Sequence, residues 1–380
     1  MGITLTKCID RVVIGGLVGL LSLLRRKKIV PTQPRRILLI QLWGIGETVC
    51  VLPALFHLRR HFPTATIDML CTPRNKAVFS GNRDLSDVHV IEPGARGVLG
   101  WVFSGVRKTG RYDVVIDMEE YLNVSAVLAW ASGHALIGYA HGLRGKVFDK
   151  TVKYRDDQHV VHTFEDLLVP LGITDHAHAL PPLNFSEADL RAAKRVLASA
   201  GVDTSRFIVI VPGAAETARS RIWPWKRFGS LARKLHRQED VTVVVTGSKS
   251  ERELAGLVQT AAGKGTVSIA GKLNLTELYA LIKLASLVVS NDTGPMHIGA
   301  AMGTPTVGLF GPNLPTRFGP FGEDNVGIYK EGSCRLSPCL NVHLGQTPDC
   351  LYPKNSADYQ KCMKAISVDD VLKEAKRLLS

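Results

Sequence analysis

No apolar run in this 380-residue chain reaches the roughly 20 residues a helix needs to cross a bilayer. The stretch from Val12 to Leu24 has 13 residues, interrupted by Ser22 and followed at once by Arg25-Arg26-Lys27-Lys28. No small-residue cleavage site precedes that basic run, which disfavours a cleavable signal. Also missing are a G-x4-G-K-[ST] loop and a G-x-S-x-G nucleophile elbow, which argues against P-loop nucleotide hydrolysis and serine hydrolysis of the elbow type. Paired Cys-x2-Cys clips are absent, as are an RNA-binding aromatic signature, low-complexity tracts and internal repeats.

What is present is positive charge. Forty-seven basic against 34 acidic residues give a formal charge of +13, which suits an anionic partner: nucleic acid, a phospholipid surface or a phosphorylated substrate. Without a recognition signature, nucleic acid is the weakest of the three. The apolar segment with its cations suits a helix lying in the membrane interface; the alternative is a helix docked on the protein itself, where four adjacent cations would gain little. Cys8, Cys50 and Cys71 are expected to be small buried hydrophobes. Cys334, Cys339, Cys350 and Cys362 cluster within 29 positions but lack zinc-ribbon spacing. Buried or redox-labile thiols come ahead of zinc or iron–sulfur binding.

From Arg36 onward, short apolar strands alternate with amphipathic helices, the sequence form of a parallel sheet covered on both faces. Strands are expected at Ile37–Ile40, Ile67–Leu70, Val88–Ile91 and Val114–Ile116, with a helix over Glu47–Phe62. The segment from His176 to Phe185, with Pro181-Pro182, reads as a linker. The series restarts with strands at Phe207–Val211, Val241–Val245, Val267–Ile269 and Leu287–Val289, and helices over Trp225–Gln238, Ser250–Ala262 and Leu275–Ala285. The expected organisation is an N-terminal segment (1–35), a first α/β domain (36–180), a second (186–366) and a C-terminal helix (367–380). Two doubly wound Rossmann-like domains facing each other would create a cleft at the C-terminal ends of both sheets.

The richest run is Ser290-Asn291-Asp292-Thr293-Gly294-Pro295-Met296-His297. It follows a strand and opens a short helix, with Pro295 suited to the first helical position. Backbone N–H groups at such a start attract anions, and Asp292, Thr293 and His297 add side-chain chemistry there. In the first domain Gly44-Ile45-Gly46-Glu47-Thr48 resembles half a dinucleotide fingerprint, but Val49 stands where the third glycine belongs, and Asp68 lies inside a strand. That disfavours a nicotinamide site. Glu47 sits at a helix start, either complementing the dipole or serving as a general base. In the second domain Gly213 follows a strand and precedes Arg219 and Arg221, either a diphosphate clamp or solvated charge. Thr246 and Gly247 precede Glu251, which would hold a ribose hydroxyl pair or act as an ordinary first-turn acid.

Taken in order, these motifs resemble the heptosyltransferase family, glycosyltransferase family nine. Asp292-Thr293-Gly294-Pro295-Met296-His297 is similar to its D-T-G-x-x-H signature. Gly44-x-Gly46 leading to Leu52-Pro53-Ala54-Leu55, Pro212-Gly213-Ala214 leading to Arg221-x-Trp223-Pro224, and Cys362-Met363-Lys364-Ala365-Ile366 also fit. The likeness is collinear from about Arg36 to Ser380.

The resemblance implies a GT-B fold, with acceptor bound by the first domain and nucleotide sugar by the second. It implies inverting transfer of a heptose from ADP-heptose to a lipopolysaccharide-core or related glycolipid, without metal or cofactor, at the cytoplasmic face of the inner membrane. Glu47 stands where the family has an Asp base, and Arg221 where it has a phosphate-contacting Lys. The substrate-binding set is Gly46, Thr48, Gly213, Arg221, Thr246, Gly247, Glu251, Asp292, Thr293, Gly294 and His297. The two departures keep open a non-catalytic nucleotide-sugar scaffold, and less so an epimerase or hydrolase on the same architecture.

Overall fold

A computed structural model describes residues 10–105, 107, 110–341, 346 and 349–380. It consists of two compact units, the first ending at Ala177 and the second beginning at His178.

The sheet of the first unit has six parallel strands: β1 (Arg36–Ile40), β2 (Thr66–Cys71), β3 (Asp87–Val90), β4 (Tyr112–Asp117), β5 (Gly133–Tyr139) and β6 (Lys150–Val152). Their order, β3-β2-β1-β4-β5-β6, is the doubly wound Rossmann order. β1 lies between β2 and β4, and Ile37 to Ile40 are buried on both faces, which is why the strand reads as an unbroken apolar run. Asp68 does lie inside β2, where its carboxylate accepts from the Tyr112 hydroxyl at 2.7 Å.

Among the first unit's helices are α1 (Gly15–Leu24), α2 (Ile45–His61), α3 (Asn123–Ser132) and α4 (Val160–Asp166). From Asp10 onward, the described part of the N-terminal segment is not set apart. Val18 and Leu21 of α1 belong to the core formed with Leu42, Ala126, Val147 and Phe148. The Asp10 carboxylate accepts from the backbone N–H of Asn123 at 3.0 Å and Val124 at 2.9 Å, capping α3. Arg25 pairs with the buried Asp149, and Lys27 donates to the carbonyls of Lys146 and Phe148. The expectation that these cations would gain little from docking on the protein is therefore corrected at Arg25 and Lys27. Val12, Val13, Leu20, Leu23 and Leu24 remain exposed on the other side.

In the second unit the strands are β7 (Phe207–Val211), β8 (Thr242–Val245), β9 (Thr266–Ser268), β10 (Leu287–Asn291), β11 (Thr306–Phe310) and β12 (Asn325–Tyr329), all parallel. The order β12-β11-β10-β7-β8-β9 repeats the first unit's topology. Its helices include α5 (Glu187–Ser199), α6 (Trp225–Glu239), α7 (Arg252–Ala262), α8 (Leu275–Leu284), α9 (Gly294–Ala301), α10 (Lys361–Ala365) and α11 (Val368–Leu379). Reciprocal capping boxes at Ser186/Asp189, Asn274/Glu277 and Ser367/Asp370 mark the starts of α5, α8 and α11. The C-terminal helix α11 buries Val371, Leu372 and Ala375 in the core with Trp223 and Phe228, so it belongs to this unit.

Candidate active site

In open α/β sheets, ligands bind beyond the carboxyl ends of the strands. Because β7 lies between β10 and β8, three of the loops singled out in the sequence leave adjacent strands. Asn291, the last residue of β10, ties two of them together. Its Nδ2 donates to the carbonyls of Pro212 at 2.8 Å and Gly213 at 3.2 Å, and its Oδ1 accepts from the Trp223 N–H at 3.0 Å. Arg221 Nη1 donates to the Asp292 carbonyl at 2.9 Å and lies 3.3 Å from its carboxylate. Asn313, from the loop after β11, donates to that carboxylate at 3.2 Å. Two buried atoms here, Arg221 Nε and Asn313 Oδ1, have no hydrogen-bond partner.

Electrostatics follow from burial. Asp292 is raised above the ordinary carboxylate range because it is removed from water, an effect opposed by the Arg221 guanidinium. His297 is pushed down to about 4 by burial and by the same guanidinium, so it is neutral at physiological pH. Helix α9 opens at Gly294 with Pro295 second. Thr293 is extended at φ −150 and its side chain makes no cap, its hydroxyl pointing back to the Asn291 carbonyl at 3.3 Å. The start of the helix thus keeps its attraction for an anion.

Gly213 and Gly247 frame Glu251. A Cβ on Gly213 would stand 1.8 Å from Glu251 Oε1, and one on Gly247 3.0 Å from Oε2. Oε2 accepts from the Ser248 N–H at 2.6 Å, the first-turn role. Thr246 is buried, its N–H bound to the Ile210 carbonyl at 3.0 Å. Arg219 lies on the same short 3-10 helix as Arg221 (Glu216–Arg221), and its carbonyl accepts from Gln360.

In the first unit, Glu47 occupies the first turn of α2. Gly44 before it has φ +73, and a Cβ there would stand 1.8 Å from Glu47 Oε2. The carboxylate folds back over the glycine, which therefore serves both the backbone and the side chain. Gly46 and Thr48 are buried. The Thr48 hydroxyl donates to the Gly44 carbonyl at 2.5 Å and accepts from Asn75 Nδ2 at 2.9 Å, so it braces the turn from inside.

A group of acids at the end of β4 went unnoticed in the sequence. Asp117, Glu119 and Glu120 are all buried. Arg144 donates to Asp117 at 2.6 Å and to the carbonyls of Glu119 and Glu120. Glu119 accepts from the N–H groups of Leu42 and Trp43, joining the β4 loop to the β1 loop. Burial pushes Glu119 up to about 8, opposed by those bonds and aided by the charge of Asp117. Glu120 is raised well above the usual range by burial, then by the charge of Glu47. The charge of Glu47 therefore reaches Glu120 and favours its neutral form. One acid at the end of an apolar strand and two just beyond it were the available signal.

Two Rossmann-like units of this topology, one with an anion-attracting helix start beside an arginine, have the GT-B architecture of glycosyltransferases. The chain belongs to glycosyltransferase family 9, the heptosyltransferase family, whose model matches residues 106–342. Lipopolysaccharide heptosyltransferase 3 of Escherichia coli K12 is 27% identical over 296 residues, 75% of this chain and 85% of that protein. Among solved structures, a glycosyl transferase family 9 protein of Veillonella parvula superimposes with a TM-score of 0.77 at 23% identity, covering 93% of this chain and 99% of that one. The E. coli heptosyltransferase WaaC with ADP gives 0.65 at 18% identity, covering 90% and 99%.

Proposed function

We propose that this glycosyltransferase moves a heptose from ADP-heptose to a lipopolysaccharide-core or related glycolipid acceptor, with inversion and without a metal. The observation that carries the reading is the Arg221–Asp292 pair beside the start of α9, in a chain whose curated relative is a lipopolysaccharide heptosyltransferase. The second unit would hold the donor. Asp292 fixes Arg221 through Nη1, and Nη2 would be offered to the diphosphate oxygens. Together with the N–H groups of Gly294 and its neighbours, Nη2 would stabilise the leaving diphosphate as charge grows on it. Neutral His297 would contribute a hydrogen bond and no charge. Glu251 Oε1, beside Gly213, is the candidate for the ribose hydroxyls.

The first unit would hold the acceptor. An alcohol is a poor nucleophile, so Glu47 takes its proton as the oxygen attacks the anomeric carbon and the nucleotide diphosphate departs. One displacement inverts the anomeric centre. Burial first, and then the charge of Glu47, raises Glu120 and favours its neutral form beside the base.

The exposed side of α1 and of the turn before it would rest on an anionic membrane surface. Val12, Val13, Leu20, Leu23 and Leu24 supply apolar area, with the Arg26 and Lys28 side chains beside it. This would place the enzyme on the cytoplasmic face of the inner membrane, next to a lipid-linked acceptor.

One feature favours a second reading, a donor-binding scaffold without transfer: the Glu47 carboxylate folds over Gly44 at its own helix start. Incubation with ADP-heptose and a heptose-deficient core glycolipid separates the two. Acceptor-dependent ADP release supports transfer; donor binding without release supports the scaffold.

A further inference from the structure

Cys334, Cys339, Cys350 and Cys362 are drawn from three separate segments of the second unit, yet they line one small cavity with room for about one water-sized body, 10 Å³. Cys334 and Cys339 lie in the chain after β12, Cys350 lies beyond it, and Cys362 is in α10. All four are free thiols. Cys350 Sγ accepts from the Gln360 N–H at 3.5 Å.

We propose that these four cysteines bind one thiophilic divalent cation of the zinc type, as a structural tetrathiolate. Four thiolates around one atom-sized space is the donor set such an ion takes, and their spacing along the chain is immaterial once the fold has gathered them. The sulfurs need to close in around the ion, to the roughly 3.8 Å separations that metal–sulfur bonds of about 2.3 Å impose. As they stand, no three come within 4.8 Å of one another. Among the described residues only His162, Glu165 and His176 bring three such ligand atoms that close. Those three are explained by hydrogen bonding alone, since the His162 and His176 Nδ1 atoms lie 2.9 and 3.1 Å from one Glu165 oxygen.

The location gives the site its purpose. The N–H groups of Cys339 and Leu340 donate to the Pro312 carbonyl at 3.0 and 2.9 Å, next to Asn313, which holds Asp292. Gln360 Nε2 donates to the Arg219 carbonyl at 2.7 Å, on the 3-10 helix that carries Arg221. A metal there would fasten the C-terminal segment to both supports of the Arg221–Asp292 pair without touching a ligand, and would leave the reaction itself metal-independent.

The test uses the full-length protein, reduced and stripped with chelator, titrated with Co²⁺ and followed by absorption. The expected result is a thiolate-to-cobalt charge-transfer band with tetrahedral d–d bands, saturating at about one equivalent. The band should be lost in the Cys339→Ser/Cys350→Ser double variant with circular dichroism unchanged. Cobalt d–d bands without the charge-transfer band, showing that the histidine and glutamate cluster takes the ion, would overturn the proposal. So would no cobalt uptake by a chain whose circular dichroism shows it folded. Neither outcome depends on which sugar nucleotide is the donor.

Discussion

Arg221 is joined to Asp292 twice, donating Nη1 to its backbone carbonyl at 2.9 Å and lying 3.3 Å from its carboxylate. A planar fork can do this while presenting its other nitrogens in fixed directions; an ammonium would keep one hydrogen with no fixed geometry. Arg221→Lys is therefore expected to keep the fold and weaken nucleotide diphosphate binding about 10- to 100-fold, the equivalent of one to two charge-assisted hydrogen bonds. Calorimetry with ADP measures it, and unchanged affinity would remove Arg221 from the diphosphate site.

Glu47→Gln should lower kcat by about 10²- to 10⁴-fold with the donor dissociation constant unchanged, the scale of a lost general base. Glu120→Gln removes an ionisable neighbour whose charge would oppose that of Glu47. It should leave catalysis near neutral pH within a few-fold and shift the alkaline part of the kcat–pH profile. An identical profile would show that Glu120 does not communicate with the base.

The double Rossmann order was legible because β1, β4, β7 and β10 are buried on both faces and so appear as unbroken apolar runs. β5 and β6 escaped notice because Gly133, His134 and Gly138 break up β5, and β6 is a three-residue edge strand. β12, with the sequence Asn325-Val326-Gly327-Ile328-Tyr329, is likewise a partly exposed edge. Within the site, Asp292, Thr293 and His297 stood out because their loop is contiguous. Asn313 and Glu120 did not, since each acts on a residue distant in sequence: Asn313 on Asp292, and Glu120 on Glu47. Thr48 shows the converse. Its place beside Glu47 suggested a ligand contact, while its hydroxyl is used by Gly44 and Asn75.

Gly138 in β5 should not accept a side chain. A Cβ there would lie 2.5 Å from the ring of the fully buried Phe148, which has no room to withdraw. Gly138→Ala is expected to destabilise the first unit by about 1–3 kcal/mol through overpacking. Denaturant unfolding of the variant checks this, and a midpoint equal to the parent's would show that Phe148 can move.

The two sides of α1 should respond differently to substitution. Val18→Ala on the core side should cost about 1–3 kcal/mol of stability and leave liposome binding unaltered. Leu20→Glu/Leu24→Glu on the exposed side should do the reverse, abolishing flotation with vesicles containing anionic lipid. Flotation should also weaken with added salt, since the Arg26 and Lys28 charges are screened. If the double variant floats as well as the parent, α1 is only a docked helix.

Stability should fall on both sides of a mid-acidic optimum, for reasons of opposite sign. His297 has its folded pKa depressed to about 4 from 6.5, so the unfolded chain binds the proton more readily. Its contribution is complete above about pH 6.5 and is lost as pH falls toward 4. Glu119 is raised to about 8 from 4.5, so the folded chain holds the proton longer. Its contribution is complete below about pH 4.5 and disappears as pH rises through 8. At about 1.4 kcal/mol per pKa unit, each shift is worth a few kcal/mol at most. Thermal melts across pH 4–9 should show His297→Gln flattening the acid limb and Glu119→Gln the alkaline one. Since Asp292 is also raised, it pulls against His297 near pH 4, so the acid limb should be the shallower of the two.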